Sequence, residues 1–207
     1  MSTTSQAPGP QPALSRPQTY LRVYTREAEV KSTAKSNPVV VAITGTCPYG
    51  IGACWGGAYE ALQRLEDVNT VNPIPNTTDS TAEVFLKDER LPALDQWYKQ
   101  FCGIVNGTYE MRGVEVTLEG ALERRGRTLF LTVRNHSSSV QLESMHAEDK
   151  VQWDHTKRER RPLTQEEALA YDKLAAAKPD LSGQTVLITG PIKQVGKVYI
   201  LQVRLYK

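Results

Sequence analysis

"ITGTCPYGIGACWGGAYEALQRLEDVNTV", residues 43–71, is the stretch on which the fold turns. Just ahead of it and into it, "PVVVAITGT" is a β-branched, apolar run, which reads as a buried strand. "GTCPYGIGAC" breaks that pattern with Pro48, Gly50 and Gly52 and reads as a loop holding Cys47 and Cys54. From Ala53 the period changes. Ala58, Leu62, Leu65 and Val68 recur at spacings of four, three and three, one apolar stripe, while Arg64, Glu66 and Asp67 fall off it. The order is strand, two-cysteine loop, helix.

That order places Cys54 at a helix start, where the helix dipole favours the thiolate. Two thiolates brought to one point hold zinc at about 2.3 Å; soft sulfur also selects copper(I). Six residues separate Cys47 from Cys54. The loop either folds back to close a thiol site for copper(I) or zinc, or serves as a scaffold without metal, with Cys54 as a small buried residue.

Reading outward, "VNTVNPIP" and "STAEVFLKD" are two strands joined by the turn-rich "NPIPNTTD". "LPALDQWYKQFCGI" is a second helix, with Pro92 near its start and Gly103 at its end. The region resembles the heavy-metal-associated domain, a copper-chaperone-like ferredoxin fold. In that family a strand runs through Gly-Met-Thr-Cys-x-x-Cys into a helix with apolar residues four, eight and eleven positions after the second Cys and a valine at fourteen. Counted from Cys54, these are Ala58, Leu62, Leu65 and Val68, and Gly45-Thr46-Cys47 stands as a shortened entry to the loop. The resemblance covers about residues 38–108 and implies a βαββαβ unit with a soft-metal site at Cys47 and Cys54. The family's two-residue spacing would put Ile51 at the first ligand position, and isoleucine binds no metal.

The second half is strand-rich. "GVEVTLEGALERRGRTLFLTV" is a hairpin turning at "ERRGR"; Val114, Val116 and Leu118 alternate with Glu115, Thr117 and Glu119, a half-buried strand. "SVQLESM" is a further strand, "LTQEEALAYDKLAAAK" a helix with Thr164 and Glu167 at capping-box spacing and Pro179 beyond it, and "TVLITGPIKQVGKVYILQVRLYK" a final hairpin turning near Lys193 to Gly196. The expected fold class is therefore α+β: a ferredoxin-like unit over 38–108, then a β-rich OB-like barrel or open sheet with one helix over 109–207. Residues 1–37, rich in Ser, Thr, Pro, Gln and Lys, read as a disordered tail or linker in which "TYLRVY" could dock as an edge strand.

Other motifs are weaker. Lys157, Arg158, Arg160 and Arg161, with Trp153 and His155 upstream, could meet phosphates and stack a base; a solvated loop diluted by Asp154 and Glu159 is the alternative. His136, His146 and His155 lack zinc-ligand spacing, although His146 stands near Glu148 and Asp149. The glycines around Cys54 fit neither Gly-x-Gly-x-x-Gly nor a P-loop, and no Gly-x-Ser-x-Gly is present. The three cysteines are too few for a disulfide framework, and no apolar run reaches the roughly 20 residues of a membrane helix. A net charge of +2 names no partner. The expectation is a non-enzymatic protein, cytoplasmic, or of the envelope if a leader is removed. It would bind copper(I) or zinc, or no metal, and engage a protein partner, with nucleic acid as an alternative.

Overall fold

The computed structural model describes residues 37–46, 48–134, 139–177 and 185–207. Residues 1–36 of the expected tail, Cys47, His136 and Pro179 lie outside the described residues. Strand β1 (Val39–Gly45) leads through the cysteine loop into helix α1 (Trp55–Gln63). Ala58 and Leu62 are buried on α1; Leu65 and Val68 are buried too, but beyond the helix end, so the stripe continues as core through a turn into β2 (Val68–Val71). Strand β3 (Thr81–Leu86) and helix α2 (Leu94–Val105) follow. Helix α2 buries Leu94, Trp97, Phe101 and Val105, spaced three, four and four. It runs through Gly103, which is exposed, and ends at Asn106 in the left-handed conformation, φ 45°. The terminator is therefore Asn106 rather than Gly103.

The second half supplies β4 (Tyr109–Arg125), β5 (Thr128–Val133), β6 (Ser139–Ser144), the short pair β7 (Trp153–Asp154) and β8 (Glu159–Arg160), helix α3 (Gln165–Ala176), β9 (Thr185–Val195), β10 (Val198–Val203) and β11 (Leu205–Tyr206). Both hairpin turns fall where the sequence sets them, between β4 and β5 and between β9 and β10. Thr164 and Glu167 form both hydrogen bonds of a capping box at the start of α3.

Assembly of these elements corrects the expected fold class. The described chain does not form a ferredoxin-like βαββαβ unit followed by an OB-like part. It is mostly sheet, 44% strand and 23% helix, with three α-helices. Nine strands form one mixed sheet in the order β11-β9-β10-β6-β5-β4-β1-β3-β2, and β9 also pairs with β4, closing a ring of β4, β5, β6, β10 and β9. The reason lies in β4. Its first residues pair with β1 (Tyr109 with Gly45 through Glu115 with Val40), and its last pair along the same edge with β5 (Gly120 with Val133 through Arg125 with Thr128). Strand β9 lines the other edge from Glu115 to Ala121 and overlaps both partners. One strand thus serves both halves, and the sheet crosses residues 108–109 without a break. One apolar core follows it, from Val41, Ile43 and Trp97 to Leu131, Leu142 and Leu201. Where β9 passes the end of β10 the backbones nearly touch: a Cβ on Gly190 would lie 1.7 Å from the Gln202 carbonyl oxygen, so only glycine fits.

The segment between β6 and α3 folds back across β1, β4 and the turn before β3. Trp153 N–H donates to Asp79 O at 3.1 Å, Arg112 to Val151 O at 3.0 Å, and Arg160 to Arg112 O at 3.2 Å; Val151 is fully buried. Beside it lies a buried ionic cluster. Arg204 holds Glu115 through two bonds of 2.7 Å and reaches Glu167 at 3.4 Å; Lys150 Nζ donates to Glu167 at 2.6 Å and to Pro162 O at 2.8 Å. Glu115, Lys150 and Glu167 are 3%, 4% and 6% exposed. Burial pushes the Glu167 carboxyl up, but the hydrogen bonds from Lys150 and the Thr164 N–H, with the charges of Lys150 and Arg204, bring it below the usual glutamate range.

Candidate functional site

The cysteine loop is held at both ends. Thr46 N–H donates to Thr108 O at 3.0 Å, which anchors the loop to the start of β4. Ile51, where the shorter family spacing would put a ligand, is 2% exposed and packs into the core. Cys54 caps α1 from outside the helix, half-buried, with no side-chain cap bond, and its carbonyl accepts the Tyr109 hydroxyl. The first turn of α1 carries no acidic residue, so nothing there competes with a thiolate for the positive helix end. Cys102 is exposed on α2.

Tertiary structure adds an imidazole to this loop. Gly50 adopts φ +77°, and a Cβ built on it would lie 3.2 Å from Cε1 and Nε2 of His155. The ring therefore rests directly on the glycine, and its Nε2 edge is at the loop. The β7–β8 hairpin carries His155 there. Its turn is held by Asp154, whose Oδ1 accepts the Lys157 N–H at 3.0 Å, a bond that keeps that carboxyl below its ordinary range. Among the described residues no hydrogen bond reaches either ring nitrogen of His155.

A cleft of about 320 Å³ opens between loop and hairpin, with Thr44, Gly45 and Pro48 on one side and Trp153, His155 and Arg158 on the other. Thr44 Oγ1 is shut off from water and has no hydrogen-bond partner. Arg158 is exposed, holds a left-handed backbone at φ 56°, and has no carboxylate partner among the described residues. The Arg112 guanidinium stacks 4.5 Å over the Trp153 ring. Burial, with the nearby Arg160 charge, lowers the Arg112 pKa to about 10, so it remains a cation at neutral pH.

The basic segment is not one phosphate-facing patch. Arg160 donates to Lys150 O at 2.6 Å as well as to Arg112 O, and Arg161 reaches Thr78 O at 2.9 Å and Asp79 at 2.8 Å. These two fasten the hairpin to the sheet. Lys157 and Arg158 stand at its exposed tip, and Lys157 lies 4.0 Å from Glu159. Trp153 already gives one face to Arg112.

Among the described residues, His146, Glu148 and Asp149 are the one group of three whose ligand atoms lie within 4.8 Å of one another. Asp149 there is claimed by Lys193 at 2.5 Å and by Gln202 at 2.6 Å, and the lysine opposes a cation. No such group includes Cys54. The sequence sets the cysteines and His155 apart because 104 residues lie between Gly50 and His155; no local pattern connects them, and only their packing does. No helix among the described residues is long and apolar enough to cross a membrane. No family model matches the chain, and no curated protein or solved structure matches it.

Proposed function

We propose that the protein is a non-enzymatic binding protein whose working end is the cysteine loop, and that it takes a soft metal ion, copper(I) ahead of zinc, on Cys47 and Cys54 with His155 as a further donor. The observation that carries this reading is the His155 ring lying on Gly50 inside the loop. Two thiols and an imidazole are donor types that both ions accept. The helix end at Cys54 favours the charged sulfur, and Cys47 belongs to the same loop. Ile51 takes no part in binding; its burial pins the middle of the loop to the core.

The test is an anaerobic titration of the reduced full chain with copper(I) and with zinc. One equivalent is expected to bind, with binding lost in Cys47→Ser and in Cys54→Ser and weakened in His155→Ala. A wild-type chain that takes up neither ion would end this reading and leave the loop as scaffold.

A further inference from the structure

We infer that the cleft between the end of β1 and the β7–β8 hairpin binds a small organic anion, a carboxylate or phosphate monoester on a flat apolar body. The inference goes beyond the metal reading: it shares His155 with it but requires no thiolate.

The cleft's chemistry is one-sided. Two larger cavities carry acids: Asp88, Glu89 and Glu119 beside Arg90 and Arg134 in one, and Asp79, Glu83 and Glu115 in the other. None of the residues lining this cleft is acidic. Two donor-bearing groups line it without internal partners, the Arg158 guanidinium and the His155 ring. An oxyanion supplies the acceptors that such donors take. A second fixed cation, Arg112, sits behind Trp153 and adds positive field at the inner wall.

Size decides the rest of the ligand. At roughly 30 Å³ per water, a cleft of about 320 Å³ is several times larger than a bare oxyanion needs. Trp153 and Pro48 provide apolar surface for the remainder. The cleft's volume falls in the range of small-molecule sites, and apolar and polar surface meet in it. The anionic head belongs at Arg158 and His155, and the flat body against Trp153 and Pro48.

The experiment is calorimetric titration of the full chain, kept metal-free with chelator, with phenyl phosphate, benzoate and inorganic phosphate. Because no metal is present, its result is separate from that of the metal titration. Saturable binding of phenyl phosphate or benzoate is expected, tighter than inorganic phosphate, and the tighter of the two aromatic anions identifies the head group. Arg158→Ala is expected to weaken it at least tenfold, and His155→Ala to weaken it less. Arg158→Gly, which suits the left-handed backbone at this position, is expected to fold at least as well as wild type and still lose the anion. No saturable binding of either aromatic anion, or binding unchanged in both Arg158 variants, would overturn the inference.

Discussion

Two polar clusters flank the β7–β8 segment, and they are built in opposite ways. Around Glu115 the charges are matched: Arg204 spans Glu115 and Glu167, Lys150 answers Glu167, and all are buried or nearly so. Around Gly50 the groups are unmatched: His155 and Arg158 face a cleft with no carboxylate among its lining residues. A buried charge survives in a folded chain only when it is paired. The first cluster therefore fastens α3 and the end of β10 to β4. The second leaves its interactions to be completed from outside, which is what a binding site requires.

Substitutions can break this contrast. Arg204→Ala has the largest expected effect, because it strands Glu115 in the interior. A loss of about 3–5 kcal/mol in urea unfolding is expected, most of it recovered when Glu115→Leu and Arg204→Met are combined. Glu167→Gln comes next, since it leaves Lys150 without its carboxylate, and it also alters the pH profile. The folded pKa of Glu167 is depressed, so its contribution to stability is present above the unfolded value of about 4.3 and is lost as pH falls through the lower folded value. Urea midpoints measured across the acid range should fall for the wild type in that window and fall less steeply for Glu167→Gln.

Smaller effects sharpen the other side. Gly50→Ala places a side chain at φ +77° and against the His155 ring; the backbone alone costs about 1–2 kcal/mol, and metal uptake should weaken with it. Thr164→Ala removes half of the α3 capping box, about 1 kcal/mol by thermal or urea unfolding. Arg158→Ala should change stability by no more than about 0.5 kcal/mol. A large stability loss there would make Arg158 part of the framework and erase the contrast.

Local structure was legible in the sequence wherever one element set its own pattern. The apolar positions from Ala58 to Val68, the capping box at Thr164 and both hairpin turns needed no distant partner to be read, although the helix they were read on ends at Gln63 and leaves Leu65 and Val68 to the turn and β2. Assembly was not legible, because β4 serves β1 and β5 along one edge and β9 along the other, and alternation reports faces rather than neighbours. Glu115 shows the same limit. Alternation set it opposite Val114 and Val116, on the wet side of a half-buried strand, yet Arg204, 89 residues later, buries it. Trp153 and the four cations share one short run, but Arg160 and Arg161 turn inward to backbone carbonyls and an aspartate, and only Lys157 and Arg158 remain at the tip. The approach of His155 to Gly50 leaves no trace in the sequence at all.

The measurement closest to the central claim is ¹⁵N NMR of the histidine side chains during anaerobic copper(I) titration of the full chain. The chain has three histidines, and each gives its own pair of ring signals. If the loop under His155 is the working end, the His155 Nε2 resonance shifts with one equivalent of copper(I) while His146 stays in place. A shift at His146 with His155 unmoved would instead locate the metal beside Glu148 and Asp149 and contradict the account.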